Sequence, residues 1–454
     1  MEASLPVARR SLALNFAAAA LIGLAGCSNE PPADLIIRHV NVIPMTSENL
    51  VLEDKDVVIR DGRIIELRES DTNQGAAEQT IDGHGKWLIP GLVDAHVHGL
   101  GDSNLRTSDL YLPYLANGVL HVVNLQASPD ILAQRSELES GKALGPHLMV
   151  ARMVDGNPAM PDSIVAATPD EGRAAVRRVK SEGYDFVKVY TALNLETLTA
   201  ILDEARQQDI RVVGHLPLRD QAMTEKLLQP GFAMVAHAEE YSYQGPDHTD
   251  ETISRFAALA KANGTALTAN LTAIDRIVAH ARDPAAVRQR PELMYLPPLV
   301  RQTWLENNRY DRLATPERIV RLEAVVDFNK RLVRAFLAAG ITILAGSDAS
   351  IPGLMPGFAL HDELEALVGA GLTNWQALAA ATVTATRWLG TDTDRGTVEA
   401  GKAADLVLLD ADPLNEIANT RRIAAVILGG RYFSKAKLDQ DMAALAARFA
   451  VDSN

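Results

Sequence analysis

Two histidines stand two residues apart in Pro90-Gly91-Leu92-Val93-Asp94-Ala95-His96-Val97-His98-Gly99, at the end of an apolar run. Side chains two apart on an extended strand share a face, so His96 and His98 can offer imidazole nitrogens to one divalent cation. A His-x-His pair alone also arises in purely structural settings, and four further residues downstream of it add the weight. His215 closes Val212-Val213-Gly214-His215, and His237 closes Met234-Val235-Ala236-His237. Asp348 ends Ile343-Leu344-Ala345-Gly346-Ser347-Asp348, and Lys188 lies inside Phe186-Val187-Lys188-Val189-Tyr190. A carboxylate or an ammonium in such apolar company is costly unless a counter-charge or a metal meets it. The chain has a single cysteine, Cys27, so a metal here takes nitrogen and oxygen ligands rather than several thiolates.

These six residues come from widely separated segments, and the fold must gather them. The chain has 454 residues and is 47% hydrophobic, enough for a large core. Its 44 Lys+Arg against 58 Asp+Glu give a formal charge of -14, which repels nucleic acid and demotes it as a partner. Apolar strand-like runs recur at Leu92–His98, Gly118–Leu125, Leu148–Val154, Asp185–Tyr190, Arg211–Leu216, Met234–Ala238, Thr265–Leu271 and Thr342–Ala345, with helical patterns between them. Eight such runs predict an α/β fold, a (β/α)8 TIM barrel over residues 90–395. The candidate residues fall at or near the carboxyl ends of five of these strands, where the catalytic groups of such barrels collect. Pro169–Gly183 reads as one connecting helix, and Asn194 as the N-cap of another that runs to about Gln208. The long gap at about 274–338 reads as a helical insertion near the barrel mouth. Short β-rich runs at Leu35–Ile37, Val40–Ile43, Val57–Ile59 and Ile64–Leu67 have counterparts at Asp405–Leu409 and Ala425–Leu428. Residues 35–89 and 396–434 are therefore expected to build a small β-sandwich domain from both chain ends, followed by a helix or tail over 435–454.

The first residues read as an export signal. Arg9-Arg10 precede a Leu/Ala-rich run from Ser11 to Ile22 and then Leu24-Ala25-Gly26-Cys27. The run is shorter than the roughly 20 residues needed to span a bilayer, and small residues before a cysteine resemble the lipobox of bacterial lipoproteins. On this reading residues 1–26 are a lipoprotein signal peptide, Cys27 is lipidated, and 27–34 tether the protein to a membrane. Ordinary secretion with a free cysteine, or an uncleaved anchor, is the alternative. By the same resemblance, Ser28 after the cysteine, rather than Asp, implies outer-membrane sorting in a Gram-negative cell, facing the periplasm.

The set Asp94-Ala95-His96-Val97-His98, Lys188, His215, His237 and Asp348, in that order, resembles the amidohydrolase superfamily. The resemblance spans residues 33 to about 434 and includes the tail Gly396-Thr397-Val398-Glu399-Ala400-Gly401-Lys402-Ala403-Ala404-Asp405-Leu406-Val407. It implies a binuclear centre of two divalent ions, commonly zinc (Zn2+), with Lys188 carbamylated. By the same resemblance His96, His98 and Asp348 hold the more buried metal, and His215 and His237 the more exposed one. Carbamylated Lys188 and a hydroxide bridge the two, and Asp348 shuttles the proton to the leaving group. The chemistry is consistent, since an ammonium cannot coordinate a cation whereas a carbamate is an anion.

Deaminases of this superfamily carry His-x-x-Glu after the fifth strand, and His215-Leu216-Pro217-Leu218 lacks that glutamate. Lys188-Val189-Tyr190 with Gly214-His215-Leu216-Pro217 looks like the branch with Xaa-Pro dipeptidase-like and imidazolonepropionase-related members. The resemblance thus implies hydrolysis of an amide bond in a small peptide-like or N-acyl amino acid substrate. A lactonase, ester or carbamate hydrolase on the same centre is the alternative, and a non-catalytic metal- or ligand-binding lipoprotein a third reading. A substrate carboxylate calls for a cationic or phenolic partner, for which Arg152, Tyr190 and His121 are the candidates. Leu120-His121 stands where relatives often carry Thr-Thr, a departure at that second-strand contact. His361 reads as a helix-start residue rather than a ligand, and a homo-oligomer is compatible with the sequence.

Overall fold

The structure, a computed structural model, describes residues 32–71, 75–99, 105–126, 130–158, 160, 162–218, 224–244 and 247–451. The expected leader and Cys27 lie outside them. Among the described residues no helix is long and apolar enough to cross a membrane.

Both chain ends meet in one sheet. Strands Ala33–Val42, Leu52–Arg60, Arg63–Glu69, Ala77–Asp82 and Trp87–Pro90 come from the N-terminal part; Leu406–Leu409, Ile423–Leu428 and Arg431–Ser434 come from the C-terminal part. The seam is antiparallel, with Val407 opposite Ile89. Ala33–Val42 is paired on both sides, antiparallel to Leu52–Arg60 and parallel to Ala77–Asp82 and Trp87–Pro90. Two tight turns, Asp61-Gly62 (φ 51° and 73°) and Gly429-Gly430 (φ 54° and 79°), have the left-handed pair that joins antiparallel strands in two residues. They pack on one another, since a Cβ on Gly430 would lie 2.8 Å from the Gly62 Cα. The sheet encloses its own core, which includes Leu35, Ile37, Val57, Ile59, Leu88, Leu406 and Ile427.

Trp87–Pro90 passes through Gly91 into the barrel. Its strands are β1 (Leu92–Val97), β2 (Val119–Asn124), β3 (His147–Asp155), β4 (Phe186–Val189), β5 (Arg211–Gly214), β6 (Phe232–Ala236), β7 (Ala266–Thr268) and β8 (Ile343–Leu344). Each pairs in parallel with the next, in chain order. Their near-continuous apolar sequences suit strands covered on both faces. The ring closes by backbone hydrogen bonds from Ala95 N–H to Ala345 O at 2.9 Å and from Asp348 N–H to His96 O at 2.8 Å. Asp94 reinforces this closure: its carboxylate accepts Ser347 N–H at 2.9 Å and Ser347 Oγ–H at 2.5 Å. Burial raises the Asp94 carboxyl to about 7.

Connecting helices start and stop where local chemistry dictates. Thr168 and Glu171 form a capping box on Pro169–Ser181, and the Asn194 side chain accepts Thr197 N–H at 2.8 Å to start Leu195–Gln207. Between β7 and β8 lie the helices Leu271–Arg282, Pro298–Glu306 and Pro316–Ala338 with short 3-10 turns. The terminal sheet abuts the amino ends of the strands: Gly91 N–H donates to Asp405 O at 2.8 Å, and His147, the first residue of β3, pairs with Asp405 at 3.0 Å. The carboxyl ends remain open at the opposite pole.

Candidate metal centre

Strand ends decide the geometry. On β4, Phe186 belongs to the barrel interior while Val187 and Val189 pack against the outer helices. Lys188, of the same parity as Phe186, therefore enters the lumen, and it is fully buried. Next to it, Gly214 has φ +126°, and a Cβ there would stand 2.3 Å from Val189 O. Only a glycine lets β5 come this close, and His215 N–H then donates to Val189 O at 3.0 Å. His237 (φ 84°), Asn270 (φ 48°) and Asp348 (φ 59°) follow β6, β7 and β8 in left-handed conformations. Such backbone is uncommon outside glycine and collects at functional sites.

The side chains converge. His98 Nε2 lies 2.6 Å and His96 Nε2 3.3 Å from Asp348 Oδ1, and His237 Nδ1 lies 3.8 Å from Asp348 Oδ2. Ring centroids are 5.1 Å apart for His96 and His98, 4.7 Å for His96 and His237, and 4.8 Å for His215 and His237. Lys188 faces this chain of imidazoles, its Nζ 5.9 Å from the Tyr190 ring centre. All six residues singled out at strand ends are thus in one place.

Their electrostatics are those of a cation site. Burial keeps His96 and His215 well below the ordinary imidazole value, in the neutral form that binds metal. Burial also brings the Lys188 ammonium down from 10.5 to about 8. Burial alone would raise Asp348, but His237, His96 and His98 outweigh it and hold its carboxyl well below the usual range. For His237 burial opposes the charge, yet Asp348 and Glu239 prevail and raise it to about 9. Among the described residues, His96 Nε2, both ring nitrogens of His237 and Lys188 Nζ are buried without a hydrogen-bond partner. Ligand atoms of His96, His98 and Asp348 lie within 4.8 Å of one another. Orphaned nitrogens around a carboxylate are what a nitrogen- and oxygen-ligated metal centre requires, so the residues fit the metal.

Several supporting residues were not legible as functional in the sequence. Glu240 Oε1 lies 2.7 Å from His215 Nδ1, and its Oε2 accepts Leu216 N–H at 3.0 Å; burial raises the Glu240 carboxyl to about 8. Glu239 Oε1 lies 3.3 Å from His237 Nδ1. Asn270 Oδ1 lies 3.3 Å from His96 Nδ1 while its amide donates to Gly346 O at 2.7 Å. A signal existed for each. Glu239-Glu240 follows His237 after the single residue Ala238, and Asn270 lies near the end of its apolar run as the histidines do in theirs.

The centre lies in a cavity of about 1220 Å³ at the barrel mouth. Of the three candidate substrate contacts, Tyr190 lines it, its ring edge-on to His215 at 4.4 Å. Arg152 does not. It is in register with Val187, so strand alternation turns it to the outside of the barrel, 6.0 Å from the Tyr184 ring. His121 does not either. It sits toward the amino ends of the strands, where Arg395 donates to its Nε2 at 2.7 Å, beside His147 and Asp405. That second His/His/Asp group already has the Arg395 guanidinium as its cation. His361 lies within the helix Phe358–Gly369, bonded to Thr420 Oγ1 at 2.9 Å and Asn117 O at 3.1 Å.

The sequence profile described as Amidohydrolase family matches residues 87–432. The chain is similar to an adenine deaminase of Oleidesulfovibrio alaskensis, 22% identical over 94% of this chain and 62% of the relative. It spans less than two thirds of the length of the curated relatives it matches first. Among solved structures, a bottromycin amidohydrolase superposes with a TM-score of 0.72 at 22% identity, covering 91% of this chain and 90% of its own. A Xaa-Pro dipeptidase with bound methionine superposes with a TM-score of 0.67 at 19% identity, covering 88% of this chain and 99% of its own. At these identities the two structures show a shared fold.

Proposed function

The chain belongs to the amidohydrolase family, metal-dependent hydrolases acting on carbon–nitrogen bonds, and from that premise we propose that it hydrolyses an amide bond in a small peptide-like or N-acyl amino acid substrate. The observation that carries this reading is the Lys188 amine, fully buried and without a hydrogen-bond partner, facing imidazoles from three strands. A lysine left ionised there would be desolvated and without a hydrogen-bond partner, and burial outweighs the pull of Asp348 and Glu240. Addition of its neutral amine to carbon dioxide, with loss of a proton, gives a carbamate whose two oxygens can serve two cations. His96, His98 and Asp348 would hold one divalent ion, His215 and His237 the other, and the carbamylated Lys188 would join them. The imidazole and carboxylate donors suit zinc.

Such ions, when bound, acidify water and polarise the scissile carbonyl. The chain's own groups supply the rest. Asp348, ionised and at the centre of the imidazoles, takes the proton from the attacking water and returns it to the leaving amine. Tyr190 forms the wall beside His215 against which a substrate is positioned. Glu240 holds His215 through Nδ1, which leaves Nε2 as the nitrogen that would serve a metal. Replacing Glu240 by alanine is expected to weaken metal binding at His215 by about 10- to 100-fold, read by competition with a chelator; unchanged affinity would remove Glu240 from this role.

Deamination is the second reading, favoured by the similarity to an adenine deaminase over 94% of this chain. Against it, no glutamate stands at the third position after His215. Wild-type protein assayed on dipeptides, N-acyl amino acids, lactones, aryl esters and adenine, with metal content measured, separates the readings. Amide hydrolysis with two metals per chain supports the proposal. Release of ammonia from adenine alone, turnover of esters alone, or metal binding without turnover overturns it. Lipid anchoring at Cys27 in the outer membrane belongs to the same proposal; recovery of full-length protein in the soluble fraction with Cys27 unmodified would end that part of it.

A further inference from the structure

Five carboxylates line the cavity among the described residues, those of Asp130, Asp162, Glu239, Glu240 and Asp348, against the two guanidinium groups of Arg309 and Arg312. Four of the five are accounted for by position or partners. Asp130 and Asp162 are exposed, where water compensates them. Glu240 is held by His215 and Leu216, and Asp348 by the histidines. Glu239 differs from all four. Its side chain is 12% exposed, one oxygen lies 3.3 Å from His237 Nδ1, and the other, Oε2, is buried without any hydrogen-bond partner. A carboxylate oxygen out of contact with water and unpaired is expensive. In this position it calls for a positively charged group arriving through the cavity.

We propose that Glu239 is a recognition residue for a cationic group on the substrate, an ammonium or guanidinium placed beside the scissile bond. The inference rests on the amide-hydrolase reading and narrows it, from N-acyl amino acids toward substrates carrying a positive charge. Division of labour between the two oxygens supports it. Oε1, beside His237 Nδ1, steadies that ring, while Oε2 has no partner within the protein. The surroundings suit a cation as well, because Tyr190, Tyr243, Tyr310 and Trp304 line the same cavity and aromatic faces attract positive charge. Two sources present this chemistry, the free amino terminus of a dipeptide and a basic side chain.

Glu239→Gln keeps the size of the side chain and removes its charge. Four substrates are compared: a dipeptide with a free amino terminus, the same dipeptide N-acetylated, and N-acetylated dipeptides with lysine or with its neutral isostere norleucine. For the cationic member of each pair KM is expected to rise by about ten- to a hundred-fold in the variant, the range of a charged hydrogen bond. Any loss transmitted through His237 falls on both members of a pair alike, so the ratio of cationic to neutral kcat/KM carries the result, and that ratio should fall by the same factor, with bound metal measured alongside. Which pair responds tells the amino terminus from the side chain. Calorimetric binding of 2-phenylethylamine against 2-phenylethanol gives a readout independent of turnover, with the amine preference of wild type lost in the variant. Equal loss for cationic and neutral compounds would make Glu239 only a support for His237, and a fall in metal content would make it a ligand; either result overturns the proposal. Absence of amide hydrolysis by wild type, with the amine preference intact, would instead refute the amide-hydrolase reading.

Discussion

Lys188→Met is expected to abolish turnover while leaving the metal-stripped protein at least as stable as wild type. The two effects have separate physical origins. A methionine fills the same buried space with a flexible apolar side chain but can neither become a carbamate nor join two cations. The ions' contribution to such a reaction is several kcal/mol, and each 1.36 kcal/mol is tenfold, so activity should fall by at least about 10³-fold. Metal content should fall with it. Stability moves the other way, because the ammonium is buried without a partner. With its ordinary value of 10.5 brought down to about 8, the charged lysine costs the metal-stripped fold about 3 kcal/mol at neutral pH. A cation depressed in the folded state burdens it fully at lower pH, and the burden lifts as pH rises from about 8 to 10.5. Denaturant titrations of both stripped proteins at pH 7 and at pH 10 would show the gap closing. A variant that still turned over substrate at the wild-type rate would dispose of the carbamate.

The second large effect is expected at Asp348. Asp348→Asn preserves shape and removes the group that accepts and returns the proton, so kcat should drop by about 10²- to 10⁴-fold. Assayed at saturating metal, KM should stay within a few-fold, since the Asp348 carboxylate is engaged by the histidines. Parallel loss of kcat and of all bound metal would assign Asp348 to coordination alone.

Much of this was written in the sequence, for reasons that can be stated. Strands covered on both faces are apolar throughout, so all eight barrel strands stood out, and polar residues at their ends were conspicuous against that background. Arg152 and His121 were misplaced because a run marks where a strand lies, while inside or outside is a matter of parity and barrel pole. Arg152 shares its parity with outward-facing Val187, and His121 lies near the pole covered by the terminal sheet. Ala77–Asp82 escaped notice because it is largely exposed and carries little apolar pattern. Glu239 and Glu240 sit on a short helix after β6, and nothing in local periodicity tells which histidine each will reach.

The pairing of Trp87–Pro90 with Leu406–Leu409 has a consequence for the order in which the molecule is made. On the ribosome, Trp87–Pro90 emerges before the barrel, yet the neighbour that completes it is synthesised only after every barrel strand. The strand that leads into His96 and His98 therefore waits, one edge unpaired, until the whole barrel has been translated. A nascent chain halted before Leu406 carries all six candidate side chains of the centre but lacks the clasp that fastens the first of them.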